Sequence, residues 1–195
     1  MHPGPWVLAG HSQGGLLAAD VAVRSRANLA ALVLIDVPLD PAGPRLRRTG
    51  ESLRKVPQLR YPTLEDATRA FRPFPLPHRV PAPVLAELAR HSFRPTDDGG
   101  WTSKFHWKMF QRARGDTANP LEGFPERLRA IGVPTLCLRG AESAILPPDE
   151  HAEQVARIPR GRGREIPGGT HHLHVEHPEV VARAIDAFLD SLSRS

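Results

Sequence analysis

The chain of 195 residues carries one cysteine, Cys137, so no internal disulfide can staple it. Cys137 lies in the apolar run Val133-Pro134-Thr135-Leu136-Cys137-Leu138, where a thiol reads as a buried structural group in a reducing compartment. Lysine is nearly missing: Lys55, Lys104 and Lys108 are the only ones, and the net charge of +5 rests on arginine. Those arginines alternate with acids along the helical stretches, which describes a solvated surface rather than a nucleic-acid face. Arg160-Gly161-Arg162-Gly163-Arg164 departs from that pattern and reads as a flexible loop ahead of a strand rather than a phosphate-binding segment. No basic stretch followed by a long apolar one opens the chain, and no apolar run is long enough to span a bilayer. A cytoplasmic protein with no membrane partner is therefore expected. No internal repeat is visible. Hydrophobic content of 40% and charged content of 24% exclude global disorder, and the length suits one domain or a core with a smaller insertion.

Trp6-Val7-Leu8-Ala9 reads as a short strand and residues 13 to 24 as a helix, whose Leu16, Leu17, Val21 and alanines suggest a well-buried element. Residues 29 to 35 are almost continuously apolar, as expected of a strand covered on both faces of a parallel sheet. Strand, helix and strand make a βαβ unit, and the fold class is α/β with a mostly parallel sheet. From residue 38 to 132 prolines crowd the chain, among them Pro73, Pro75, Pro77, Pro81 and Pro83, and exclude any long regular element. Thr63 with Asp66 forms a capping box for a short helix over 64 to 71, and Leu85 and Leu88 mark another. This span is expected to be an inserted helical cap, with 1–37 and 133–195 forming the core. The core resumes with a strand over 133 to 138 and a helix over 149 to 158, which Pro147 and Pro148 help to start. Arg164-Glu165-Ile166 is a brief strand. The last helix follows Pro178 with Val181, Ile185, Phe188, Leu189 and Leu192 on one face.

The chemistry points to the junction after the first strand. Gly10-His11-Ser12-Gln13-Gly14-Gly15 places a serine between glycines where strand meets helix, which matches the nucleophile elbow expected of a serine hydrolase. Such a hydroxyl needs a base, and the base needs an orienting group. Histidines gather in Ile166-Pro167-Gly168-Gly169-Thr170-His171-His172-Leu173-His174-Val175-Glu176-His177-Pro178.

With these residues the chain resembles the α/β-hydrolase fold family, whose members carry a glycine-rich turn, a histidine, then an acid and a proline opening the last helix. The resemblance implies Ser12 as nucleophile and His171 as base, with His172 the alternative one residue on. It offers two places for the acid. The usual one, after the strand that follows the cap, lands on Ser143, with Glu142 one residue early. Another, used by a subset of the family, follows the strand before the cap, and Asp36 stands there. Asp36 is preferred to Glu142. The Gln13 N–H becomes one oxyanion donor. The segment Asp98-Gly99-Gly100-Trp101-Thr102-Ser103-Lys104-Phe105 is similar to a tryptophan-containing cap segment in some members. The implied reaction is hydrolysis of a small-molecule ester or related acyl bond without cofactor. Carbon–carbon hydrolysis and perhydrolysis use the same triad, whereas a serine nucleophile speaks against dehalogenase and epoxide hydrolase chemistry.

Plainer roles are open to each residue: Ser12 as a turn residue, Asp36 as a strand terminator, His172 and His174 as metal ligands. The last lacks supporting cysteines or an H-E-x-x-H helix, so no metal site is expected. The resemblance also implies earlier strands and a second oxyanion donor that have no counterpart in this sequence. The first strand is accordingly expected to present an open edge through which copies self-associate, and a catalytically impaired fragment or non-enzymatic binding remnant is the alternative function.

Overall fold

Strand β1 (Trp6–His11) runs into helix α1 (Gln13–Arg24), and β2 (Leu29–Ile35) returns parallel to β1. These coordinates come from a computed structural model and describe residues 5–24, 28–41, 43, 58–73, 80–105 and 123–193. There follow β3 (Arg60–Tyr61), α2 (Leu64–Ala70), α3 (Ala82–His91), β4 (Phe93–Pro95) and β5 (Trp101–Ser103). The chain then forms α4 (Phe124–Arg127) with a 3-10 turn at Leu128–Ala130, β6 (Thr135–Gly140) and α5 (Pro148–Arg157). It closes with β7 (Gly161–Ile166), α6 (Leu173–Glu176) and α7 (Pro178–Leu192).

The chain divides into two compact units, Met1–Pro41 with Leu121–Ser195, and Ala42–Pro120. The first holds an all-parallel sheet in the order β1-β2-β6-β7. Its two faces explain why β2 is apolar without interruption. Leu32 and Leu34 join one core cluster with Leu16, Ala18, Ala19, Ala22, Cys137 and Ile158. Ala31, Val33 and Ile35 join another with Leu136, Leu138, Ile166 and the α7 residues Val181, Ala184 and Phe188. A side-chain period of two sends alternate residues to opposite faces, and both are covered. Burial pushes the Cys137 thiol up to about 12, so it stays protonated and inert.

Four expectations change. Helix α1 is buried on one face only: Leu17 and Val21, one turn apart, are 66% and 48% exposed. The arginine–glycine stretch is strand rather than loop, because β7 pairs with β6 from Gly161 onward. Its glycines admit α5: a Cβ on Gly161 would fall 2.6 Å from Val155 O, and one on Gly163 would fall 2.9 Å from Val155 Cγ2. Arg162 leans onto α7, donating to Ser191 Oγ at 2.6 Å. The core also extends further into the middle of the sequence than 37 and 133. Leu39, Phe124, Leu128 and Ile131 all belong to the cluster around α1.

The fourth change lies within the inserted unit, which is not helical alone. It holds an antiparallel sheet, β3-β5-β4, against which Phe93 meets the rings of Tyr61 and Phe71. Helix α2 starts as its capping residues imply, with Asp66 N–H donating to Thr63 Oγ1 at 3.1 Å. Pro75 and Pro77 lie outside the described residues. No helix among the described residues is long and apolar enough to cross a membrane.

If residues 123 to 131 belong to the core, Phe124→Ala should cost about 3–5 kcal/mol in chemical denaturation, the usual range for emptying a buried phenylalanine site. A loss below about 1 kcal/mol would detach this segment from the core.

Candidate active site

The elbow is built by backbone geometry. Ser12 has φ 52°, in the left-handed region that a non-glycine residue enters only under local constraint. Its N–H donates to Ile35 O at 3.0 Å, while its carbonyl accepts from Gly15 N at 2.9 Å and Leu16 N at 3.2 Å. The strand end and the helix start are thereby locked to one residue. The flanking glycines differ in purpose. A Cβ on Gly10 would lie 2.4 Å from Gly14 O, and one on Gly15 would lie 2.1 Å from Val37 Cγ2. A Cβ on Gly14 would meet nothing within 4 Å. Steric demand thus falls on Gly10 and Gly15, not on the second glycine of the pentapeptide.

Asp36 follows β2 as Ser12 follows β1, at the carboxyl edge of the sheet where parallel folds collect ligands. It too has a positive φ, 47°, and its N–H donates to Leu138 O at 2.8 Å. The residue is fully buried, so its carboxylate requires partners. Oδ1 accepts from Gly140 N at 3.0 Å. Oδ2 accepts from Ser143 Oγ at 2.5 Å and from His171 Nδ1 at 2.8 Å. Ser143 Oγ itself accepts from Ile145 N and Leu146 N, so its remaining hydrogen is directed at Asp36.

His171 closes the chain of contacts, with Nε2 3.0 Å from Ser12 Oγ. A carboxylate only accepts, so Nδ1 carries the ring hydrogen and Nε2 is free to accept from the serine hydroxyl. The loop bearing His171 is held from several sides. Buried Glu176 accepts from Thr170 N and Thr170 Oγ1, both at 2.6 Å. Gly140 lets this loop approach β6, since a Cβ there would lie 2.3 Å from Thr170 O. Glu142 N donates to Gly169 O at 2.8 Å. Buried Arg139 donates to Leu146 O and Ala141 O and pairs with Glu165, anchoring the turn that holds Ser143.

Ser12, Asp36 and His171 are thus brought together. The acid side chain on His171 is that of Asp36; the side chain of Glu142 is exposed, and its backbone N–H serves the loop. His172 stands at the position just before α6, without a side-chain capping bond. Gln13 is the first residue of α1, so its N–H is among those a helix start leaves without an intrahelical partner. Among the described residues, no three His, Cys, Asp or Glu side chains are placed to hold a metal ion. Ser143, His11 and Glu176 join the site without having been singled out. For Ser143 the sequence signal was present, since the usual offset for an acid lands on it.

Imidazoles crowd His171. The His11 ring lies 4.6 Å from that of His171, 5.5 Å from His172 and 4.2 Å from His174, measured between centroids. Burial, then the neighbouring rings, lowers His11 to about 3 and His174 to about 4, while Glu176 and Asp36 partly offset this at His174.

The sequence profile of the alpha/beta hydrolase family matches residues 1–184. The mouse sn-1-specific diacylglycerol lipase ABHD11 is 24% identical over 186 residues, covering 95% of this chain and 59% of the lipase. Among solved structures, E-2-(acetamidomethylene)succinate hydrolase superposes with a TM-score of 0.76 at 20% identity, covering 96% of this chain and 68% of that one. An esterase from Mycobacterium tuberculosis gives 0.71 at 22% identity, with 96% and 62% covered. These structural likenesses show the fold. The chain spans about three fifths of the length of the curated lipase it matches.

Two outcomes follow from this geometry. Gly14→Ala should leave thermal stability unchanged or raise it by up to about 1 kcal/mol through helix propensity, whereas Gly15→Ala should lose at least about 1–3 kcal/mol to overpacking against Val37. Equal effects would show that the clash is relieved without cost. In acid, His11 and His174 bind protons more readily unfolded than folded, so their contribution is complete above about pH 6.5 and falls as pH drops toward 4 and 3. Denaturation midpoints should decline over that window and decline less in His174→Gln. A wild-type midpoint that stays flat from pH 6.5 to 4 would contradict neutral buried rings.

Proposed function

Since this chain belongs to the alpha/beta hydrolase family, we propose that it cleaves an ester or related acyl bond through an acyl-enzyme on Ser12. One observation carries the reading: Ser12 Oγ, His171 and the buried carboxylate of Asp36 are joined by hydrogen bonds of 3.0 and 2.8 Å. In this scheme His171 Nε2 takes the hydroxyl proton as Oγ attacks the acyl carbon, then gives it to the leaving alcohol. Water, deprotonated by the same nitrogen, releases the acid. Asp36 keeps the ring in the Nδ1–H tautomer and stabilises the imidazolium between the two transfers. The Gln13 N–H, at the positive end of α1, receives the developing oxyanion. The proposed substrate is a small-molecule ester. No nucleic-acid or membrane contact enters the scheme, and a cytoplasmic setting suits the free thiol of Cys137.

A fluorophosphonate probe tests the nucleophile. Wild-type protein should be labelled on Ser12 and Ser12→Ala should not; labelling that survives the substitution would place the nucleophile elsewhere, and no labelling of either would favour a binding remnant. The acid is tested by turnover. Asp36→Asn should lower kcat by about a thousandfold or more through the wrong tautomer, while Glu142→Gln should leave it within about twofold. The reverse ranking would move the acid to the turn after β6.

A further inference from the structure

His11 is the middle residue between Gly10 and Ser12, and its ring is directed at the base loop rather than at solvent. Nε2 lies 2.7 Å from the backbone carbonyl of His171. A carbonyl oxygen only accepts, so this nitrogen must carry the hydrogen and donate it. The distance is at the short end of the N–H···O range. We propose that His11 is a positioning residue for the base: its hydrogen bond ties the rigid end of β1 to the main chain of His171 and fixes the gap between the two reacting side chains. This rests on the acyl-enzyme reading above and adds a residue to its machinery.

Without that bond, the loop keeps ties to its own residues and to the turn after β6: Glu142 N donates to Gly169 O, and His172 O accepts from Val175 N and Glu176 N. Glu176 secures Thr170 on the preceding side, and Leu173 N returns to Thr170 O. Both of these ties lie within the loop itself. The bond from His11 joins the loop's main chain to the last residue of β1, next to Ser12. Because His171 Nε2 and Ser12 Oγ are 3.0 Å apart, a shift of the loop by about 1 Å would take them beyond the reach that proton transfer needs.

An imidazole also suits the location electrostatically. The groups facing His11 are His171, His172 and His174, with Glu176 and Asp36 acting on this cluster from beyond them. Buried among these rings, His11 stays neutral at working pH and donates without adding a charge beside the imidazolium that forms on His171. A lysine or arginine in its place would donate but would oppose that imidazolium.

The test compares wild type, His11→Gln and His11→Leu, with Ser12→Ala alongside. The measurements are turnover of a p-nitrophenyl ester, the rate of fluorophosphonate labelling, and NMR signals of the His171 ring. His11→Leu should lower kcat and the labelling rate by about 10- to 100-fold with KM unchanged, the scale expected of a misplaced catalytic group. His11→Gln, whose side-chain amide reaches the same carbonyl, should recover most of the loss. The His171 ring signals should broaden in His11→Leu and remain sharp in His11→Gln. Wild-type kcat in His11→Leu, a glutamine variant as impaired as the leucine one, or unchanged His171 signals in His11→Leu would each overturn the proposal. If Ser12→Ala labels as well as wild type, the acyl-enzyme reading fails, while the ring signals still decide whether His11 holds the base.

Discussion

A carboxylate with no exposed surface organises this site. Asp36 sits beyond the end of a strand covered on both faces, so it must be satisfied by groups brought to it. Three are supplied: the N–H of Gly140 at the end of β6, the hydroxyl of Ser143 in the turn beyond, and the ring of His171. Each comes from more than 100 residues further along the chain. Removing any one would leave part of a buried charge unpaired, so the sheet register, the turn after β6 and the histidine loop are mutually dependent. The orientation of the His171 ring is one outcome of that dependence.

The supports of these partners repeat a pattern. A small residue permits close approach, and a buried polar group then fastens the approaching segment. Gly140 admits the loop that Glu176 fastens through Thr170. Gly15 admits Val37, and the Ser12 main chain is bonded to both β2 and α1. Arg139 fastens the turn of Ser143 through two carbonyls and Glu165. Buried polar clamps of this kind hold directional geometry that dispersion contacts alone leave loose.

The parts legible in the sequence were those decided locally or by periodicity. β2 announced a doubly covered strand because both odd and even positions are apolar, and α7 announced its buried face at helical spacing. The turn at Ser12 was legible because glycines flank the serine closely on both sides. What escaped needed the tertiary structure. An apolar residue does not say whether a neighbour covers it, so Leu17 and Val21 looked like core. Gly161 and Gly163 look like loop residues until α5 is laid on them. The bonds of Ser143 and His11 join residues 107 and 160 positions apart, and no local pattern records such a pairing. The early start of the core at Phe124 escaped because a four-residue helix has too few positions to display a period.

Ser12, Asp36 and His171 all belong to the unit formed by Met1–Pro41 and Leu121–Ser195, while Ala42–Pro120 forms the other unit. β2 and β6, which bracket the intervening segment, are hydrogen-bonded neighbours through Ile35 and Leu138. A parallel crossover needs only a dozen or so residues to return the chain, and the entropy of closing a longer connection grows only with the logarithm of its length. The meeting of Ser12, Asp36 and His171 is therefore insulated from the length of that connection. Lineages descended from such a chain are free to lengthen, shorten or exchange the intervening unit while inheriting the same juxtaposition of Ser12, Asp36 and His171.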